Sequence, residues 1–401
     1  MKIEYRAPIN QTELRGAIEC SARAFDETKA WVEQYVNYLN ADPWYRLDNT
    51  RACFRNEKIV SMAHIFNRPI RIENCVVKMG GLSEVGTELK HRRLGYSLSV
   101  VRDCVQYMQR SGYDLSILFS SIQSHYARAG WVIYPTYVLY LTPPDKLAAV
   151  PDRLIIEPCD PNRDLPALMK IYSHFNASRM GSVARTVEYW KNQLVWSDSE
   201  PTRFWVAKQD DTTVAYLALY RWEIREFGYL QNREAAATGL FSHLFHRAKA
   251  EGANKIEAIV PLEYRRTFEA LGCTVRRRES TGKMIRIIDL ASLVAKILPL
   301  LEARLRDSDL AGWEGTIGLG YEADGVTLWL KGSQIAISRP RENSTIDLVM
   351  SQEQSLKLLF GNMTGGQIVF SNNLRVNESE MNLLDVLFPR REFFMWAADR
   401  F

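Results

Sequence analysis

Leu98, Val101, Val105 and Met108 recur at steps of three and four, the period of one buried helix face. A short apolar stretch at 115–119 follows and predicts a strand. Upstream, residues 11–40 predict two helical segments, with Ala22, Phe25, Trp31, Tyr35 and Tyr38 among their apolar and aromatic positions. Alternating stretches at 52–54, 59–66 and 70–77, with Asn56-Glu57-Lys58 and Asn67-Arg68-Pro69 as turns, predict an antiparallel meander feeding a strand at 81–87. Residues 132–141 predict the strand that closes this first region, and Thr142-Pro-Pro-Asp and Pro151-Asp-Arg mark the passage to the next.

From 154 to 290 the same order returns: strands at 205–207 and 213–222, a long helix at 239–250, a strand at 255–260, then Phe268-Glu-Ala-Leu-Gly272-Cys where the first region has Tyr126-Ala-Arg-Ala-Gly130-Trp. From about 291 the character changes. Leu293, Ile297, Leu300, Leu301 and Leu305 predict a helix despite Pro299. Strands at 316–321, 326–331, 334–338 and 346–350 follow, with Asp324-Gly325 and Lys331-Gly332 as hairpin signals, then a helix after Ser351 and a last one at 379–388. The pattern predicts a mixed α+β protein of three regions, and 401 residues with 46% apolar content suffice for two or three cores.

Charge and cysteine usage narrow the class. A net charge of +4 does not argue for nucleic acid, and basic residues cluster only at Lys90–Arg93 and Arg276–Arg278. The opening Met1-Lys-Ile-Glu-Tyr-Arg has no apolar signal core, and no run approaches the roughly 18 apolar residues of a membrane span, so a cytoplasmic protein without membrane or nucleic-acid partners is expected. The six cysteines lie far apart with no Cys-x-x-Cys pair, which predicts reduced thiols and no metal site.

The chemistry concentrates before the first long helix. Lys90, His91, Arg92 and Arg93 crowd positive charge just ahead of Gly95. The first amides of a helix lack internal partners and carry the positive end of its dipole, so a pyrophosphate is stabilised there, and Gly95 lets the backbone approach it closely. A solvated basic loop before a surface helix is the other reading of this segment alone. Arg92-x-x-Gly95-x-Ser97 resembles the acyl-coenzyme A signature of the GNAT acetyltransferase superfamily, with Ser97 replacing the usual Gly or Ala, and Tyr126 with Gly130-Trp131 resembles that superfamily's next motif.

The resemblance implies two tandem GNAT folds followed by a sterol carrier protein-like domain, the architecture of the enhanced intracellular survival family of acetyltransferases: a catalytic domain at 1–150, a degenerate copy at 151–290 and the carrier-like domain at 291–401. It implies acetyl-coenzyme A as co-substrate, without a metal. The cofactor would be held by Val85, Gly86, Thr87, Arg92, Arg93, Leu94, Gly95, Tyr96, Ser97, Leu98, Ser121 and Ile122. A small-molecule or peptide amine would be the acceptor, an aminoglycoside, polyamine or lysine-type group, contacted by Asp26, Trp31 and Tyr35. Tyr126 would be the general acid, and the carboxylate of Phe401, returning to the first domain, the base; the family also implies a homo-oligomer, a hexamer. The second copy has Ala235-Ala-Ala near the place of Gly95 and Phe268 for Tyr126, so it would keep the fold without the reaction. His125 as base and Cys104 as acyl carrier are lesser candidates, and the aromatic tail 393–396 predicts a buried rather than frayed end. The competing class is a lipid or small-molecule binding protein with a vestigial transferase domain.

Overall fold

The meander forms, with longer strands than the alternation suggests. A computed structural model describes residues 2–147, 149–151, 153–192, 202–321 and 324–401. It begins β1 (Ile3–Arg6), α1 (Gln11–Phe25), α2 (Lys29–Ala41), β2 (Thr50–Arg55), β3 (Lys58–Ile72), β4 (Cys75–Thr87), α3 (Tyr96–Arg110), β5 (Leu115–Phe119), α4 (Gln123–Ala127) and β6 (Val132–Ile133). The turn expected at Asn67-Arg68-Pro69 is absent, and β3 runs straight through it. The β2 ladder ends at Thr50↔His64, so the missing N–H of Pro69 breaks no bond to β2. Arg68 is buried there with its guanidinium 2.6 Å from Asp42. The chain instead reverses at Glu73-Asn74, between the paired Ile72 and Cys75.

The chain divides into two compact units. The first holds residues up to Tyr134, Thr281–Phe393 and Phe401. Its main sheet runs β1-β2-β3-β4-β5, then Lys283–Ile287, then β6. The single strand expected at 132–141 is therefore two pieces: β6 stays in this sheet, while β7 (Thr136–Thr142) belongs to the other unit's sheet and Lys283–Ile287 stands beside β5. Pro135, which has no N–H to give a ladder, separates the pieces. Each strand lies where its apolar residues are covered, Leu139 and Leu141 in the second core and Met284 in the first.

A smaller sheet in the first unit has the order Gln334–Ser338, Asp324–Lys331, Glu314–Tyr321, Ile346–Val349. Asp324-Gly325 lies in its ladder rather than in a turn, because Tyr321 pairs with Asp324; residues 322 and 323 lie outside the described part. Helix Leu290–Arg306 fastens this region to the main sheet, with the Asp114 carboxylate accepting from Ser292 Oγ and Lys296 Nζ, each at 2.6 Å.

The second unit holds Pro135–Ser280 and Phe394–Arg400. Its sheet runs Ile155–Pro158, Thr202–Gln209, Thr212–Tyr220, Glu223–Tyr229, Ile256–Ala258, β7, Thr274–Ser280, the strand order of the first sheet with the parallel pair in the same place. The tail is built into this core: Trp396 is fully buried and donates to Asn176 Oδ1 at 2.9 Å. Among the described residues no helix is long and apolar enough to cross a membrane.

Candidate functional site

The site begins where β4 and β5 part. Their parallel ladder comprises Met79↔Leu115, Gly80↔Ser116 and Gly81↔Ile117 and goes no further. Past Gly81, β4 follows β3 to Ser61↔Thr87, with a register shift that leaves Glu84 and Val85 opposite Ala63. The β5-facing side of 83–87 is thus an edge with amides that an extended ligand can pair with.

A groove of about 780 Å³ lies along this edge, lined among others by Val85, Gly86, Thr87, Arg92, Arg93, Gly95, Tyr96, Ser97, Leu98, Ile122 and Tyr126. Gly95 caps α3 with φ +87°, in the left-handed region where a glycine avoids the steric cost of a Cβ, and no atom lies within 4 Å of where that Cβ would stand. The head of α3, residues 95–98, lines the groove. Arg92, Arg93 and Arg128 supply positive side chains around it. Arg92 also ties the end of α1 to the end of β4, its guanidinium donating to Ala24 O at 2.7 Å and Thr87 O at 3.4 Å. Leu94 stands exposed in the turn, and Ser121 is exposed without lining the groove.

Tyr126 rides on α4 over the groove. Burial raises its phenol above the ordinary value, and a hydrogen bond with Ser120 partly offsets this, so the group is a proton donor at neutral pH. His125 beside it lies 2.9 Å from Ser97 Oγ through Nε2. Ser97, the departure from the small residue of the motif, thus joins the start of α3 to α4. Burial, and next the charge of Arg128, lower the His125 pKa, which keeps the ring neutral. Cys104 is fully buried and its thiol pushed far up by desolvation, so it does not supply a thiolate nucleophile.

On the other side of β4, Trp31 and Tyr35 stack at 4.9 Å between ring centroids. They belong to an apolar cluster with Val32, Leu39, Phe66 and Phe401. The Tyr35 hydroxyl is buried without a hydrogen-bond partner, and its pKa is raised well above normal, by burial first and by the charge of Glu84 next. Asp26 is elsewhere: it is the exposed left-handed cap of α1, φ +61°, and is not among the lining residues of the groove, although Ala24 and Phe25 are. Among the predicted residues, the structure thus brings Trp31, Tyr35 and Phe401 together and leaves Asp26 outside.

Sequence reasoning missed Glu84. It sits in the strand irregularity with φ +52°, and its carboxylate accepts from Ser21 Oγ at 2.8 Å. Gly86 makes this possible, since α1 packs so close that a Cβ there would stand 2.9 Å from Ser21 Cα. Burial raises the Glu84 carboxyl above the ordinary range, the Ser21 hydrogen bond lowers it, and the charge of Glu27 raises it again. The one signal in the sequence was an acid inside the otherwise apolar or small run Gly80-Gly-Leu-Ser-Glu-Val-Gly86.

Residues 5–134 match the family model described as the acetyltransferase (GNAT) domain. The fold of the whole chain is similar to that of solved structures. A GCN5-related N-acetyltransferase from Anabaena variabilis ATCC 29413 has TM-score 0.74 and 16% identity, over 100% of both chains. Eis1 from Mycobacterium abscessus has TM-score 0.67 and 14% identity over 100% of both. A GCN5-related N-acetyltransferase from Kribbella flavida has TM-score 0.71 and 13% identity, over 100% of this chain and 98% of that one. No curated protein matches significantly. Through residues 5–134 the chain carries a GNAT acetyltransferase domain, which makes it an acyltransferase and implies an acyl-coenzyme A co-substrate.

Proposed function

We propose that this GNAT-superfamily acyltransferase moves the acetyl group of acetyl-coenzyme A onto the amine of a small molecule or peptide by direct attack. The observation that carries the reading is the open groove that joins the left-handed Gly95 at the head of α3 to the Tyr126 phenol. The residues of the groove fit the donor: the amides after Gly95, with Arg93 and Arg128, face its phosphates, and the β4 edge at Val85–Thr87 faces the amides of its pantetheine arm. A backbone N–H of that edge stabilises the oxyanion, and Tyr126 protonates the departing thiolate.

An amine near neutral pH carries a proton that must leave before attack. By family resemblance the acceptor is the carboxylate of Phe401, yet a free α-carboxyl titrates near ~3.5 and is a weak base. A second reading of the base is favoured by Glu84, whose burial raises its carboxyl and so improves the match to an ammonium. The finer division, a catalytic copy at 1–150, a silent copy at 151–290 and a carrier-like domain at 291–401, in a cytoplasmic hexamer, rests on the family resemblance of the sequence; the whole-chain likeness to Eis1 is one of fold.

Thiol release from acetyl-coenzyme A, screened over aminoglycosides, polyamines and lysine peptides, tests the function; no release with any amine refutes it. One glycine added after Phe401 should abolish turnover if the terminal carboxylate is the base. Full turnover in that variant, with loss in Glu84→Gln, gives the role to Glu84.

A further inference from the structure

Phe401 has a second property, independent of its carboxylate. Its ring lies flat against the backbone of Gly81: a Cβ there would stand 2.4 to 2.6 Å from the ring atoms Cζ, Cε1 and Cε2. Gly81 with Ile117 is the last pair of the β4–β5 ladder, so the ring covers one face of the sheet beside the point where the strands separate. Phe66 on β3 and Phe119 at the end of β5 hold it from two sides, each with ring centroids 5.8 Å away. The fork that opens from that point is the groove along Val85–Thr87, with Tyr126 on its wall.

A thioester whose pantetheine arm lies along 85–87 presents its acyl chain toward the closed end of the fork. We propose that the Phe401 ring is the stop that sets acyl-chain length, which restricts the donor to short acyl-coenzyme A thioesters; this rests on the acyl-coenzyme A reading of the groove. An acetyl group ends before the ring. Each further methylene must displace a ring that is held by two phenylalanines and a glycine backbone, and so give up those contacts. The glycine at 81 is part of the device, because any side chain there would push the ring away.

The test is equilibrium binding of coenzyme A, acetyl-, butyryl- and hexanoyl-coenzyme A to the full chain by calorimetry, in wild type, Phe401→Ala and Phe401→Leu. The wild type should bind butyryl-coenzyme A more weakly than acetyl-coenzyme A. Phe401→Ala, which keeps a terminal carboxylate, should shift the butyryl-to-acetyl affinity ratio by about tenfold in favour of butyryl, the worth of two newly buried methylenes. Phe401→Leu should fall between, and serves if the alanine variant does not fold. An unchanged ratio in both variants, or a wild type that binds hexanoyl and acetyl donors equally, overturns the stop while leaving the groove assignment standing. Failure of coenzyme A itself to bind overturns that assignment, and the stop with it.

Discussion

Both main sheets place a shielded glutamate on the first strand of their parallel pair, and the two acids have opposite surroundings. In the first sheet the acid is Glu84, beside the register shift of β4, with Ser21 as its hydrogen-bond donor. Among the described residues no cation lies within ion-pair distance of it. In the second sheet it is Glu226, next to the shift between Ala218 and Leu219. Arg185 is fully buried against it with one N–H 3.0 Å from Oε1 and a second on Oε2, while Tyr216 donates at 2.6 Å. Arg185 also holds Asp399 of the tail at 2.9 Å. The helices differ in the same sense. Helix Glu234–Ala250 is capped by Arg233 with φ −122° where α3 is capped by the open left-handed Gly95, and Phe268 is fully buried where Tyr126 lies on a groove. One strand order thus serves an open polar site and a closed core. The difference lies in whether the buried charge is neutralised from within the protein or left for a ligand to meet.

The largest effect should come from the first sheet's proton donor. Tyr126→Phe makes that position like Phe268 and removes a general acid, so kcat should fall by ~10²–10⁴-fold. Calorimetry should show coenzyme A binding nearly intact, since the groove keeps its shape. Unchanged turnover would remove Tyr126 from the mechanism and make the contrast with Phe268 functionally empty.

Next in size is the ion network of the second sheet. Asp399→Ala leaves Arg185 half-compensated in a fully buried place and strips a partner from the Tyr189 and Tyr172 hydroxyls, which lie 3.1 and 3.3 Å from its oxygens. Denaturant unfolding should show a loss of about 3–5 kcal/mol. A loss below about 1 kcal/mol would mean that the network is not what closes this core.

These contrasts are unevenly legible in the sequence. The helix of α3, Gly95 and Tyr126 follow from period and motif, because a helix face and a left-handed turn are dictated by residues near in the chain. The exchange of β7 for Lys283–Ile287 does not, since both read as apolar strands and only the choice of core separates them. Pro69 misleads by local rule: its lost N–H matters only if a neighbour strand needs it, which is a property of register. Glu84 is hidden for a similar reason. Its chemistry arises from Ser21 and Glu27, about 60 residues earlier in the chain. Asp26 suggests itself by charge alone, and the cap geometry that places it in solvent is set by the end of α1.

Glu84 offers the third and two-sided break. Its folded pKa is raised, so its charged form is the disfavoured one, and its contribution to stability is fully present below the unfolded value and is lost as pH rises through the folded value. Glu84→Gln should therefore raise Tm at pH 8 and change it little at pH 4. If the acid takes the ammonium proton, the same variant should lower kcat by about 10²-fold and remove the limb of the pH–rate profile that climbs as the carboxyl ionises. A stability gain without loss of that limb would make Glu84 a strained structural acid, and leave the Phe401 carboxylate as the base.

The smallest effect tests the open helix head itself. Gly95→Ala meets no atom, so the substitution acts through the backbone: φ +87° with a Cβ costs about 1–2 kcal/mol. If the loop keeps its shape, the cost appears as stability and donor affinity is unchanged. If it relaxes toward a right-handed conformation, the first amides of α3 turn away from the phosphates, and coenzyme A binding should weaken by about tenfold with little loss of Tm. The second outcome is expected, because residues 92–95 are exposed. Dephosphorylated pantetheine separates the two: its affinity should be indifferent to the substitution, since it lacks the pyrophosphate that those amides hold. Equal weakening of both ligands would mean that the turn shapes the whole groove rather than gripping one anion.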